Sequence, residues 1–261
     1  GSYHLHSKYG LVLRTQSIFE LKTKKTIFSI ILTLALFAVY AVHLTKIHQP
    51  EVFKTQKEHK IIQLPIRVHV VKDINVGEIK MKNFITEKKI RKKIIPKINK
   101  ILRSAGITFK IEKIYFENAT AQDLKKNINI ILNATEVYSY NPDKNGGDAV
   151  EKIVPKENFN YNIFNIYFIP IKAEFAVGIT MLGAKDGLWA SYATTFLYTE
   201  YGRNSLYSIA QISAHELLHT LCLNHTNNTL MDGGGTNVNY LLEYQIKMAR
   251  KQAKTGKACS Y

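Results

Sequence analysis

The chain has 261 residues, 46% of them hydrophobic and 21% charged, which suits one sizeable globular domain with a short extra segment and excludes global disorder. Its formal net charge is +16, and the whole excess lies in residues 1–110, which hold 22 Lys and Arg against 6 Asp and Glu, while the remainder is balanced at 14 and 14. A basic half can attract anionic lipid or an acidic partner, or it can simply solvate a Lys-rich helix face; no basic-plus-aromatic motif of a nucleic-acid reader accompanies it, so nucleic acid is not expected as a partner.

Residues 1–25 form a polar N-terminal segment. Thr26–Leu44 (TIFSIILTLALFAVYAVHL) lacks Asp, Glu, Lys and Arg. At 1.5 Å per residue it would span roughly 28 Å as a helix, close to the hydrocarbon thickness of a bilayer. Lys22, Lys24 and Lys25 precede it, the order expected of a transmembrane anchor or a signal segment with its N-terminus inside. A buried core helix is the alternative, although core helices seldom lack a polar face. The expectation is therefore a membrane-anchored or secreted protein whose following domain is extracytoplasmic. Residues 45–60 read as a linker, and 61–261 as the domain.

Within the domain, Ile61–Val71 alternates apolar and polar residues as a strand. Thr86–Ser104 predicts a helix: Thr86 can cap it, Ile85 and Ile90 are spaced as a hydrophobic staple, and Ile90, Ile94, Ile98, Ile101 and Leu102 share a face. Pro96 predicts a kink and Gly106 a stop. Ile107–Phe116 reads as a strand, Asn127–Leu132 as a short third strand, and 133–160 as a long polar surface insertion. Asn162–Ile171 reads as a buried strand, and Gly178–Leu182 and Leu188–Ala193 as strands around a Gly183–Gly187 turn. Ser205–Leu221 and Val238–Lys254 read as helices. The fold class is α/β (α+β mixed), built on one mixed sheet.

The chemistry concentrates at 215–219, His-Glu-Leu-Leu-His. On a helix, positions i and i+4 share a face, so His215 and His219 can reach one zinc ion. Glu216 can then approach a water at that ion as general base without being a ligand. His225 offers a third imidazole. His69, in a predicted strand, reads as structural.

The stretch Ala214–Met231, AHELLHTLCLNHTNNTLM, resembles the metzincin zinc peptidases, whose signature is H-E-x-x-H-x-x-G-x-x-H followed by a Met-containing turn. The resemblance puts the three metal ligands at His215, His219 and His225, the base at Glu216 and the turn methionine at Met231, where it forms an apolar floor under the metal. It implies a twisted mixed sheet with an upper-subdomain helix, an active-site helix and a C-terminal helix, one catalytic Zn2+, and a peptide or protein substrate paired by strand addition. Gly178, Ile179 and Thr180 would then contact that substrate. Two departures stand out. Cys222 replaces the family glycine, so either it takes the left-handed conformation or the turn differs. Gly233 stands where some relatives carry an oxyanion-stabilising tyrosine.

Two other readings remain open from the sequence. One is a zinc peptidase with Glu243 as third ligand. The other is a non-catalytic, membrane-associated metal-binding interaction protein derived from a peptidase. Cys222 and Cys259, the only cysteines, could bridge in an exported domain, but their pairing is not legible from sequence.

Overall fold

A computed structural model of the chain describes residues 59–120, 123–135, 140–141, 144–173, 176–181, 192–199, 202–233 and 239–259, together with Thr33. All but Thr33 belong to one compact unit, Lys57–Tyr261. The predicted span 26–44 lies outside the described residues apart from Thr33, and no helix among those described is long and apolar enough to cross a membrane.

A six-stranded sheet organises the unit. It comprises β1 (Ile62–Val71), β4 (Ile107–Glu117), β5 (Phe164–Lys172), β6 (Gly178–Met181), β7 (Tyr192–Thr199) and β8 (Gly202–Arg203). The order is β4-β1-β5-β7-β6, with β8 also pairing β7. Strands β4, β1, β5 and β7 run parallel, while β6 and β8 are antiparallel to β7. The sheet is thus mixed, as expected, and mostly parallel. A parallel strand must be covered on both faces, and β5 is buried at eight of its nine positions.

Helices supply that cover. After a small hairpin, β2 (Ile74–Val76) with β3 (Ile79–Met81) turning at Gly77, the chain enters the predicted helix at Thr86, whose Oγ1 accepts from the Lys89 N–H at 3.3 Å. The helix is α1 (Glu87–Lys89), a π-turn over Ile90–Ile94, and α2 (Ile95–Leu102). The widened turn directly precedes the proline, which sits in the first turn of α2. Gly106 ends the segment in the left-handed conformation, φ 61°. Ile90, Ile94, Ile98 and Leu102 bury completely against Ile66, Val68, Phe164 and Ile166 of the sheet.

Two expectations are corrected on the opposite face. Asn127–Leu132 is not a strand but part of α3 (Leu124–Asn133). Leu124, Ile128 and Ile131 recur at helical spacing and pack on the sheet, and a short apolar run does not by itself separate the two periods. The polar stretch 133–160 is not wholly insertion, for it contains α4 (Gly146–Ile153), capped by Asn145, whose Oδ1 accepts from the Asp148 N–H at 3.1 Å. Ala149, Val150 and Ile153 join Tyr167, Ile169 and Phe196 in a second core. Of the strand expected at Leu188–Ala193, Tyr192 and Ala193 lie in β7, while residues 188–191 and the Gly183–Gly187 turn lie outside the described residues.

Candidate metal centre

The site grows from the end of α5 (Leu206–His219), which begins at Ser205, whose Oγ accepts from the Ser208 N–H at 3.1 Å. Ile209, Ala210, Ala214, Leu217 and Leu218 bury one side of this helix in the main core, which fixes its rotation and leaves His215 and His219 on the other. Their Nε2 atoms lie 3.1 Å apart.

The third imidazole arrives by a turn. Thr220, Leu221 and Cys222 close the helix as a Schellman motif: the Cys222 N–H donates to the His219 carbonyl at 2.9 Å, and the Leu223 N–H reaches back to the Leu218 carbonyl at 3.1 Å. This motif needs a left-handed residue, usually glycine, and Cys222 fills the place with φ 66°. Of the two outcomes open at Cys222, the left-handed one holds. Its sulfur is bonded to that of Cys259, with the two Cα atoms 5.3 Å apart. Three residues on, His225 places its Nε2 3.2 Å from both His215 Nε2 and His219 Nε2.

Three nitrogens at these separations suit one ion. At 3.1–3.2 Å from one another the three Nε2 atoms could bind the same ion together. The ring tautomers agree. His215 Nδ1 donates to the Leu230 carbonyl at 2.7 Å, and His219 Nδ1 donates to the Leu223 carbonyl at 2.6 Å. A neutral ring that donates through Nδ1 presents a lone pair at Nε2. Burial favours that neutral form, holding both imidazoles below their ordinary range and His219 at about 4. The three histidines therefore can hold a metal ion; their geometry does not select which.

Glu216 directly follows His215 in the chain and is 5% exposed. Its Oε2 accepts from the Thr180 hydroxyl at 2.7 Å, and the same hydroxyl is 2.8 Å from the Glu216 carbonyl. Burial pushes the carboxyl up to about 8, against the pull of the Thr180 hydrogen bond; a cation at the imidazoles would draw it back down. Strand β6 crosses the helix so closely that a Cβ on Gly178 would come within 2.7 Å of Glu216 Oε1 and 2.8 Å of Ile212 Cγ2. Gly178, Ile179 and Thr180, expected at the substrate, all lie on β6, the terminal strand of the sheet order. Thr180 is also tied to the carboxylate, a link with no signal in the sequence. The carbonyls of Leu223 and Leu230 were equally silent, since every residue carries one.

Met231 is fully buried in the main core. Its carbonyl accepts from the Thr226 N–H at 2.8 Å, and its own N–H donates to Thr229 Oγ1 at 3.0 Å, so the turn that presents the Leu230 carbonyl is closed on itself. Gly233 lies against the His225 ring, where a Cβ would be 3.4 Å from Nδ1. Glu243 does not join the cluster. It opens α6 (Glu243–Ala253), exposed, with its carboxylate 3.9 Å from the Lys247 ammonium. His69 lies elsewhere, buried in β1 and hydrogen-bonded on both sides of its ring.

No protein-family model matches this chain, and a search of curated proteins finds no match, so the reading of the site rests on its own geometry.

Proposed function

We propose that the chain is a zinc-dependent endopeptidase of the metzincin kind, and the observation that carries the proposal is the convergence of three imidazole Nε2 atoms, with a buried carboxylate at the residue that follows the first of them. Bound there, a zinc ion supplies Lewis acidity, lowering the pKa of a water and polarising a peptide carbonyl. The residues do the rest. Glu216 accepts the proton of the attacking water and returns it to the leaving amine. Thr180 holds the carboxylate towards the site while leaving Glu216 Oε1 for that exchange. Met231 forms the apolar floor under the ligands. An extended peptide pairs with the outer edge of β6, beside Gly178, Ile179 and Thr180, so that its scissile carbonyl comes over the imidazoles.

A buried carboxylate at the residue after the first histidine favours this reading over a non-catalytic metal protein, because a structural site closes on four ligands and needs no base. The exposed position of Glu243 favours His225 as the third ligand. The Cys222–Cys259 bond supports an extracytoplasmic setting, membrane-anchored through 26–44 or secreted, since such bonds persist where the surroundings are oxidising.

The test is metal analysis of the full chain followed by digestion of a mixed peptide library. One bound zinc is expected, with cleavage that stops on chelation and in Glu216→Gln. Cleavage that survives both treatments, or a protein that takes up no zinc, would remove the assignment.

A further inference from the structure

Cys222 occupies the left-handed position of the turn between the second and third imidazoles, and that turn serves both. Leu223, which follows it, gives its carbonyl to His219 Nδ1 at 2.6 Å, and His225 stands three residues on. A non-glycine residue resists this backbone conformation because its Cβ crowds the neighbouring carbonyl. Alone, the chain from 220 to 225 would favour other conformations, and in most of them His225 leaves the cluster. Two bonds oppose that drift. The Cys222 sulfur is joined to Cys259, and the Cys259 N–H donates to the Thr220 carbonyl at 2.7 Å. Cys259 is itself buried, and the residues before it form α6, whose Ile246, Ala249 and Ala253 pack in the main core. The turn is thereby fastened to Cys259, 37 residues on and six past the end of that packed helix.

We propose that the Cys222–Cys259 disulfide is the positioning device for the third metal ligand, doing by a covalent tie what a glycine does by conformational freedom, and that its reduction loosens the hold on the ion. This rests on the three-histidine site described above. In the reduction a dithiol gives up two electrons and two protons: the S–S bond breaks, Cys222 and Cys259 each become a thiol, and the dithiol closes to its own disulfide. Released from Cys259, residue 222 can leave the left-handed region, and the Leu223 carbonyl and His225 move with it.

The experiment measures Zn2+ affinity by competition with a chromophoric chelator for the full chain and two double variants, Cys222→Ala/Cys259→Ala and Cys222→Gly/Cys259→Ala. The alanine pair loses the tie and keeps the backbone penalty, so its affinity is expected to fall about tenfold. The glycine pair loses the tie and the penalty together and is expected to recover most of that loss. Wild-type protein treated with a phosphine, which reduces the bond without chelating zinc, should behave like the alanine pair. Should the alanine pair fail to fold, the same comparison runs between Cys259→Ala and Cys222→Gly/Cys259→Ala. Equal affinity across the variants and the wild type, or a folded glycine variant no tighter than its alanine or cysteine counterpart, overturns the proposal. A wild-type protein that binds no zinc overturns the metal reading, and this one with it.

Discussion

Among the described residues, His69 and the pair His215 and His219 are all at least partly buried, and the partners of their ring nitrogens separate them. His69, in the middle of the sheet, has an oxygen on each side: Glu117 Oε2 is 2.7 Å from Nδ1, and Asn165 Oδ1 is 3.2 Å from Nε2. The Asn165 amide is oriented by its Nδ2, which donates to the Asn160 and Ile163 carbonyls at 2.9 and 2.7 Å, so its oxygen must face the ring. A ring met by an oxygen at each nitrogen has neither left to face a metal, and this one is stacked on Tyr167 at 4.3 Å. His215 and His219 also donate through Nδ1, but their Nε2 atoms face only each other and His225. A histidine with an oxygen at each nitrogen has a structural place; one with a carbonyl on one side and other imidazoles on the other can hold a metal ion. Burial alone does not tell them apart.

That contrast can be broken experimentally, and the largest effect is expected at Glu216. Glu216→Gln keeps the shape and the ligands but removes the base, so peptide cleavage should fall by about 10²–10⁴-fold while zinc content stays whole. His69→Ala should have the opposite profile. It strands Glu117 in the core and is expected to cost about 3–5 kcal/mol of stability, read from urea unfolding, with zinc affinity unchanged in the protein that remains folded. Loss of zinc in that variant would erase the distinction drawn between the two groups. His225→Ala should weaken zinc binding on the order of 100-fold, as one share of a multi-ligand site, and leave the fold intact.

Smaller effects sharpen the contrast. Gly178→Ala must push β6 away from Glu216, at a cost of about 1–3 kcal/mol, and should lower turnover more than zinc affinity; an unchanged melting temperature would show that the strand yields freely. The smallest effect is in pH. Burial by itself would raise the Glu117 carboxyl, but hydrogen bonds from His69 and from Asn158 Nδ2, the latter at 2.8 Å, outweigh it and leave the group below its ordinary 4.5. A depressed carboxylate stabilises the fold above its unfolded value and loses that contribution as pH falls through the folded one, so this stability disappears below 4.5. In chelator-treated protein, His219 acts at higher pH. Its folded value of about 4 lies under the ordinary 6.5, so the unfolded chain takes the proton first and stability declines as pH falls from 6.5 towards 4. Urea midpoints between pH 7 and 3 should show the upper window shrink in His219→Gln and the lower one in Glu117→Gln.

Much of the fold was legible where local signals agreed. Thr86, the Ile85–Ile90 pair and Gly106 marked both ends of the first helical segment because capping and left-handed turns are decided within a few residues. The short apolar runs failed. Asn127–Leu132 became helical and 133–160 yielded α4 because those residues are held by the second face of the sheet, which no local pattern announces. At the site, spacing identified the three imidazoles and the carboxylate, since one helix turn sets two of them. The tie from Thr180 to Glu216 was hidden, because it joins residues that only the crossing of β6 over α5 brings together.

By itself the sequence determined which side chains could share an ion, since that follows from spacing along a short stretch of backbone, and it left open whether the turn at Cys222 is left-handed. The tertiary structure decided how that turn is kept. Only packing of α6 against the core brings Cys259 to Cys222, and only the sheet brings a hydroxyl to the carboxylate, for contacts between distant segments depend on how their buried faces fit together.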